Sequence, residues 1–353
     1  MSGGTRIGLR CDGGPRMGVG HVLRQIALAE EFLARGVEVT MLGTVEGSTL
    51  VDGLLAGHGL AMEPALDEPE ALLAEVRERR LDAIMLDGYH LPAALGRTLR
   101  AAGVPVAAMV DGTFGLHQDA DLYVDQNFGA TRRPGVPTDR HYLAGIEYAL
   151  LRDVVRSRRG GRGHPGPEDS AATTRPRILC VFGGTDAYGA ARTVVPLLLS
   201  ADTPVEVVAV AATAEIGDDL GALHPGPDQS LEVLPPVADL PGLAAGCDGV
   251  VSAAGSSIWE FFCLGVPVAL VAVVDNQLTG YRGVLEADLA APVGLLPKLR
   301  RDQAAVVQGR EVLRRFTTDQ AWRAALRAHG ASTVDGDGRV RVADAMLGLQ
   351  RIP

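Results

Sequence analysis

Two doubly wound α/β domains in tandem are the fold class that this sequence predicts. Short apolar runs alternate with stretches of helical periodicity, and the alternation restarts after a segment rich in Gly, Pro and Ser at 156–176. A chain of 353 residues is also long enough for two domains of ordinary size. The expected division is an N-terminal domain over 1–155, a linker over 156–176, and a C-terminal domain over 177–353.

In the first half, runs at 5–10, 37–42, 82–86, 105–110 and 121–124 read as strands. Between the first two, apolar residues at 22, 23, 26, 28, 29, 32 and 33 follow helical spacing. A strand, a helix and a strand in that order make a parallel βαβ unit. The second half repeats the design, with strands expected at 177–182, 205–211, 231–234, 249–252 and 267–273. Helices are expected up to about Leu199 and over 257–264. From about Asp302 the chain reads as two or three amphipathic helices. Ligands in such sheets bind at the carboxyl ends of the strands, beside helix N-termini.

Composition removes several function classes. The formal charge of −10 argues against a nucleic-acid partner, because phosphate contacts need a basic footprint. No apolar stretch is long enough to span a membrane, and the first residues lack the apolar core of a signal peptide, so a cytoplasmic protein is expected. Cys11, Cys180, Cys247 and Cys263 are scattered without metal-ligand spacing and read as reduced thiols. Hydrophobic residues make up 47% and aromatics only 4%, so the cores are expected to be Ala, Val and Leu. Lys298 is the only lysine, an Arg bias that reflects base composition rather than function.

Four segments carry candidate chemistry. The first runs from Arg10 through Asp12, Gly13, Gly14, Gly18 and Gly20 to His21 and Arg24, at a strand-to-helix turn. Its glycines permit a sharp turn and close approach to a ligand, and the new helix offers free N–H groups to an anion. His21 opens the helix and suits general-base work, although a plain helix cap is the alternative reading. The second is Ser252 to Glu260, another strand, small-residue turn and helix start. Gly255, Ser256 and Ser257 supply donors for a diphosphate and Glu260 an acceptor for ribose hydroxyls; a capping box is the alternative. The third is Gly183-Gly184-Thr185-Asp186, where glycines admit a phosphate or Thr185 or Asp186 caps the next helix. The fourth is Asp275-Asn276-Gln277, polar groups just past a buried strand, or a plain loop.

Metal chemistry is not expected. Asp119 and Asp121, like Asp335 and Asp337, have D-x-D spacing but precede a strand or sit in a turn. There is no phosphate-binding G-x-x-x-x-G-K-[ST] motif, no G-x-S-x-G elbow, and no dinucleotide fingerprint.

Taken in order, these segments resemble the PseG/SpsG family of nucleotide-sugar hydrolases and spore-coat polysaccharide proteins. The likeness runs through Arg10-Cys-Asp12, Gly18-Val-Gly20-His21-Val-Leu-Arg24, Leu86-Asp87-Gly-Tyr89-His90, Asp125-Gln-Asn127 and 145–152. It continues through Phe182-Gly-Gly-Thr-Asp186, 252–260, Gly265-Val-Pro267 and Asp275-Asn-Gln277. More distantly the chain is similar to MurG, a lipid-linked N-acetylglucosaminyltransferase. The resemblance implies the GT-B fold, with a sugar nucleotide in a cleft between two Rossmann-like domains.

It also implies hydrolysis of a UDP-amino or UDP-deoxy sugar without cofactor or metal. A histidine at the position of His21 activates water against the anomeric carbon, and UDP departs with inversion there. The implied substrate-binding set is Arg10, Asp12, Gly18, Gly20, Arg24, Asp87, Tyr89 and Asn127 on the sugar side. On the nucleotide side it is Gly183, Gly184, Thr185, Gly255, Ser256, Ser257, Glu260, Asn276 and Gln277. An acceptor hydroxyl or amine in place of water makes the same parts a glycosyltransferase. A hydrolysing epimerase or a non-catalytic nucleotide-sugar binder are the lesser alternatives. The chain departs from the family where Gly88 stands in place of a histidine and where Asp111-Gly112 replaces an acidic pair.

Overall fold

The computed structural model describes residues 4–14, 17–111, 114–159 and 175–349. It divides into two compact units: Met1–Asp153 with Gly336–Pro353, and Val154–Asp335. Most of the expected linker, 160–174, lies outside the described residues.

The first unit is a parallel sheet of seven strands. In chain order they are β1 (Arg6–Cys11), β2 (Glu38–Leu42), β3 (Met62–Glu63), β4 (Ala83–Asp87), β5 (Val106–Met109), β6 (Leu122–Asp125) and β7 (His141–Ala144). Their spatial order is β3-β2-β1-β4-β5-β6-β7. The chain therefore works outward from β1, then returns to lay β4 on its other side. At that reversal the connections leave in opposite directions and open a crevice at the carboxyl ends.

Helices cover both faces, so the central strands are apolar on both sides. Along β4, Ala83 and Met85 join the core beneath the helix Gly20–Ala34, while Ile84 and Leu86 join the opposite core. That two-residue alternation follows from the pleat.

The second unit repeats the plan with six parallel strands. These are β8 (Arg177–Val181), β9 (Val205–Val210), β10 (Gln229–Leu234), β11 (Gly249–Ala253), β12 (Val268–Ala272) and β13 (Ala291–Leu295). Their order, β10-β9-β8-β11-β12-β13, places the reversal between β8 and β11. One core of this unit is built of Val, Leu, Ile and Ala with Phe182 and Phe316, and Val250, Val268, Leu270, Phe261 and Phe262 are buried outside it.

Two strands are absent from the sequence expectation in the first unit, and one in the second. β3 pairs through only two residues, too few for any periodicity. β7 is half-exposed and begins with His141, so it lacks an apolar run. β13 contains Pro292 and Gly294 and shows a register shift against β12.

The tail forms the three helices Gln303–Thr318, Gln320–Thr333 and Gly338–Leu349. The third differs from the expectation that the whole tail serves the second domain: it returns to the first unit. Val342, Ala343 and Met346 are buried in the core beneath the helix Gly20–Ala34. Its N-terminus is seated by Gly338, where a Cβ would lie 2.3 Å from the Ala149 carbonyl oxygen.

Arg339 then anchors it. Its buried guanidinium donates to Glu30 Oε2 at 2.6 Å and Glu31 Oε2 at 3.2 Å, and also to Asp153. Helical periodicity reports that a helix has an apolar face but not which sheet that face covers. Removing one partner of a buried ion pair strands the other charge, at a cost of about 3 kcal/mol or more. Arg339→Met should therefore lower stability by about that amount in urea unfolding, and an unchanged midpoint would show that the anchor contributes nothing.

Candidate active site

In the first unit the crevice between β1 and β4 is occupied by a buried carboxylate and its partners. Asp87, the last residue of β4, is 0% exposed. The helix that follows β1 places His21, Arg24 and Gln25 on one face, because residues three and four apart share a side of a helix. All three reach Asp87. His21 Nδ1 lies 2.7 Å from Oδ1, Arg24 Nε donates to Oδ2 at 2.6 Å, and Gln25 Nε2 donates to Oδ2 at 2.8 Å. A second Arg24 nitrogen donates to Oδ1.

Burial by itself drives the Asp87 carboxyl upward. The Arg24 charge and hydrogen bonds, with His21 behind them, overcome this and hold it well below the usual carboxylate range. In turn Arg24, despite its burial, is held more firmly protonated by Asp87.

This arrangement fixes the imidazole. A carboxylate oxygen only accepts, so Nδ1 carries the proton toward Asp87, and in the neutral ring the lone pair is then on Nε2. Arg24 Nη2 also lies 2.9 Å from Nδ1, drawn there by the carboxylate they share. The helix begins at Gly20 with Val19 as its cap residue and no side-chain cap bond, so His21 does not serve as a helix cap.

An aromatic corner closes around His21. Its ring meets Tyr89 edge to face at 4.8 Å and Phe114 at 6.3 Å, and the latter two rings are 5.3 Å apart. The Tyr89 hydroxyl donates to Asp111 Oδ2 at 2.6 Å. Partial burial, then the Asp111 charge, raises the Tyr89 phenol above its ordinary value.

A second polar group lies beside the first. Arg10 is buried at the end of β1 and donates to Asp12 Oδ2 and to Asp67 Oδ1, each at 2.5 Å. Asp12 also accepts from the Thr44 amide at 2.7 Å and pairs with His90 Nε2 at 2.8 Å. The backbone passes so closely that a Cβ on Gly43, at φ +139°, would stand 1.9 Å from the Cys11 carbonyl oxygen.

The fold thus brings ligand atoms of Asp12, Asp67 and His90 within 4.8 Å of one another, although no metal-ligand spacing is visible along the chain. The Arg10 guanidinium already donates to both carboxylates, which fits an ion-pair lattice better than a cation site.

Other expected residues are placed as follows. Gly14 and Gly18 exchange backbone hydrogen bonds of 3.1 and 2.7 Å, and Gly18 adopts φ +79°, where glycine is favoured. Asn127 stands apart from His21, beyond β6, and donates to Asp125 Oδ1 at 2.9 Å. Gln25, Asp67 and Phe114 were missed, and Asp111 was noted only as a departure from the family pattern. Of the three missed, only Gln25 carries a signal, its four-residue spacing from His21.

In the second unit the three glycine-bearing or polar loops are neighbours, because β8, β11 and β12 are adjacent. Gly183 and Gly184 are exposed beyond β8, with Gly183 at φ +83° and open space where a Cβ would project. Asp186 is the helix-capping residue of that loop: its carboxylate accepts from the Ala190 amide at 2.7 Å and the Ala191 amide at 3.0 Å. Beyond β11, Ser256 precedes the helix Ser257–Leu264 without making a side-chain cap bond. Glu260 lies one turn on and is half-buried. Gln277 accepts from the Val273 amide at 3.0 Å, which secures the end of β12. Asn276 lies in the short turn Asp275–Gln277, and its side chain is outside the described residues.

Two parallel sheets, each with its crevice at a strand-order reversal, together with the likeness to MurG reported below, give the chain a GT-B fold. No family model matches the chain. The chain is similar to the spore coat polysaccharide biosynthesis protein SpsG of Bacillus subtilis, 24% identical over 345 residues that cover 95% of this chain and 96% of that one.

Among solved structures it resembles MurG of Acinetobacter baumannii, with a TM-score of 0.69, 14% identity, and coverage of 98% and 99% of the two chains. It also resembles MnaA of S. aureus in its structure with UDP, with a TM-score of 0.61, 12% identity, and coverage of 98% and 97%.

The depressed Asp87 carboxyl has a stability consequence. Its folded-state pKa lies below the unfolded value of about 3.9, so its contribution is complete above that pH and is lost as pH falls. The stability gap between wild type and Asp87→Asn in urea should narrow below about pH 4. A gap independent of pH would contradict the ionised, Arg24-paired state.

Proposed function

We propose that this chain hydrolyses a UDP-sugar, with His21 as general base. The observation that carries the reading is the Asp87–His21 pair at the strand-order reversal. It holds Nδ1 at 2.7 Å from a carboxylate and leaves Nε2 to take a proton. Water gives its proton to Nε2 as its oxygen attacks the anomeric carbon. The bond from that carbon to the diphosphate oxygen breaks, and UDP leaves with the electron pair. The imidazolium that forms is stabilised by Asp87 and returns its proton to solvent. A positioned base of this kind contributes roughly two to four orders of magnitude.

The diphosphate is assigned to the second unit, around Gly183, Gly184, Thr185, Gly255, Ser256 and Ser257. Backbone N–H groups at a helix start and the uncommitted Ser256 hydroxyl stabilise a leaving anion there without a cation. Glu260 is assigned to the ribose hydroxyls. UDP as the nucleotide is supported by the fold shared with MnaA in its structure with UDP. A place in carbohydrate biosynthesis is supported by the full-length similarity to SpsG.

Glycosyl transfer is the second reading, favoured by the likeness to MurG across nearly the whole chain. It needs the same base and leaving-group site, with an acceptor hydroxyl or amine in place of water.

Incubation with a panel of UDP-sugars separates the two. Hydrolysis predicts UDP and free sugar without any acceptor, at a rate unchanged by EDTA. Release only after an acceptor is supplied would establish transfer, and loss of turnover restored by Mg²⁺ would defeat the metal-free mechanism. For the nucleotide site, Glu260→Ala should weaken UDP binding by about 1–3 kcal/mol in calorimetry. Unchanged affinity would remove Glu260 from the ribose role.

A further inference from the structure

We propose that Tyr89, tethered by Asp111, is a cover over His21 that admits water and excludes larger nucleophiles. The inference rests on the hydrolytic reading and assigns to that site a residue pair that determines specificity.

The exposures of neighbouring rings are opposite. His21 is 6% exposed and Phe114 7%, yet Tyr89, whose ring centroid is 4.8 Å from that of His21, is 54% exposed. A large aromatic side chain left this open is not held by core burial. What holds it is edge contact with two rings and one hydrogen bond, from its hydroxyl to Asp111 Oδ2 at 2.6 Å. Asp111 is itself fixed by its backbone, which exchanges hydrogen bonds of 3.2 and 3.0 Å with Phe114.

Asp111 forms no ion pair among the described residues, whereas Asp87 and Asp12 are each matched by an arginine. Its carboxylate is bonded to the tyrosine and acts on Arg24 only through space, as one of the charges that keep that guanidinium protonated. The inner wall, His21 with Asp87, Arg24 and Gln25, is buried and bonded several times over. Tyr89 is the group on this wall that can swing away at the loss of a single hydrogen bond. With the cover closed His21 is only 6% exposed, so water is the nucleophile this proposal admits.

The general step is unchanged by the nucleophile. A hydroxyl compound gives its proton to His21 Nε2, its oxygen bonds to the anomeric carbon, and UDP departs with the electrons of the broken bond. Water yields the free sugar, and methanol yields the methyl glycoside.

The cover is tested directly with diethyl pyrocarbonate, which acylates accessible imidazole, followed by mass spectrometry of the peptide 17–24. The exposed His117, His141 and His224 serve as internal standards. In wild type, His21 should react far more slowly than these. Tyr89→Phe, which keeps the ring but removes the tether, and Asp111→Ala should each speed His21 modification by about tenfold or more, the equivalent of one hydrogen bond to a charged group. The standards should be unaffected, which also reports that the variants remain folded.

The second readout is the ratio of methyl glycoside to free sugar in dilute methanol, which does not depend on how much enzyme is active. It should rise by a similar factor in both variants. Rapid modification of His21 in wild type, or an unchanged rate in both variants, would overturn the cover. Faster modification with an unchanged product ratio would overturn its role in choosing the nucleophile. If wild type turns over no UDP-sugar, the hydrolytic reading fails, while the modification rates still decide whether Tyr89 shields His21.

Discussion

A carboxylate removed from water is tolerated only where charge and hydrogen bonds replace its solvation, and Asp87 is such a group. Its 0% exposure is compensated by Arg24, Gln25 and His21, all supplied by the first turns of one helix. That helix must therefore enter at a set height and rotation relative to β4. The glycine turn between β1 and the helix, closed by the bonds between Gly14 and Gly18, makes the entry possible. Orientation of His21 is thus a by-product of neutralising Asp87. A general base needs that same property, a ring held in one tautomer with its free nitrogen presented. Stability and chemistry are coupled through one side chain.

The second unit uses the same topology with different chemistry. Its crevice loops carry glycines, serines and amides, with Asp186 the buried carboxylate among them. Gly183 offers backbone with nothing projecting from it, and Ser256 leaves its hydroxyl uncommitted to the helix it precedes. Such a surface suits an anionic ligand that brings its own charge. Asp186, by contrast, is consumed by the helix amides it caps. On the proposed reading, one unit is organised around a proton acceptor and the other around helix-end donors.

Much of this was legible because the strands are buried on both faces and so appear as uninterrupted apolar runs. The helix Ser257–Leu264 was placed to the residue by its small-residue start and the glycine that ends it in a left-handed turn. What stayed hidden depends on contacts between segments distant in sequence. Asp67 meets Arg10 across 57 positions, and nothing in its loop announces that pairing. His90 was visible, but its pairing with Asp12 arises only once β1 and β4 lie side by side. Asp111 and Phe114 become part of the His21 surroundings for the same reason. The attachment of the last helix to the first sheet is settled by Gly338 and Arg339, whose partners lie far upstream.

The central claim is that the ring organised by Asp87 removes a proton from the nucleophile. His21→Ala tests it most directly, with kcat, UDP affinity and melting temperature measured on the same preparation. The account predicts that kcat falls by about two orders of magnitude or more while UDP binding is nearly unchanged and the protein stays folded, its melting temperature lowered by the loss of one hydrogen bond to Asp87. A folded variant with near wild-type turnover would contradict it.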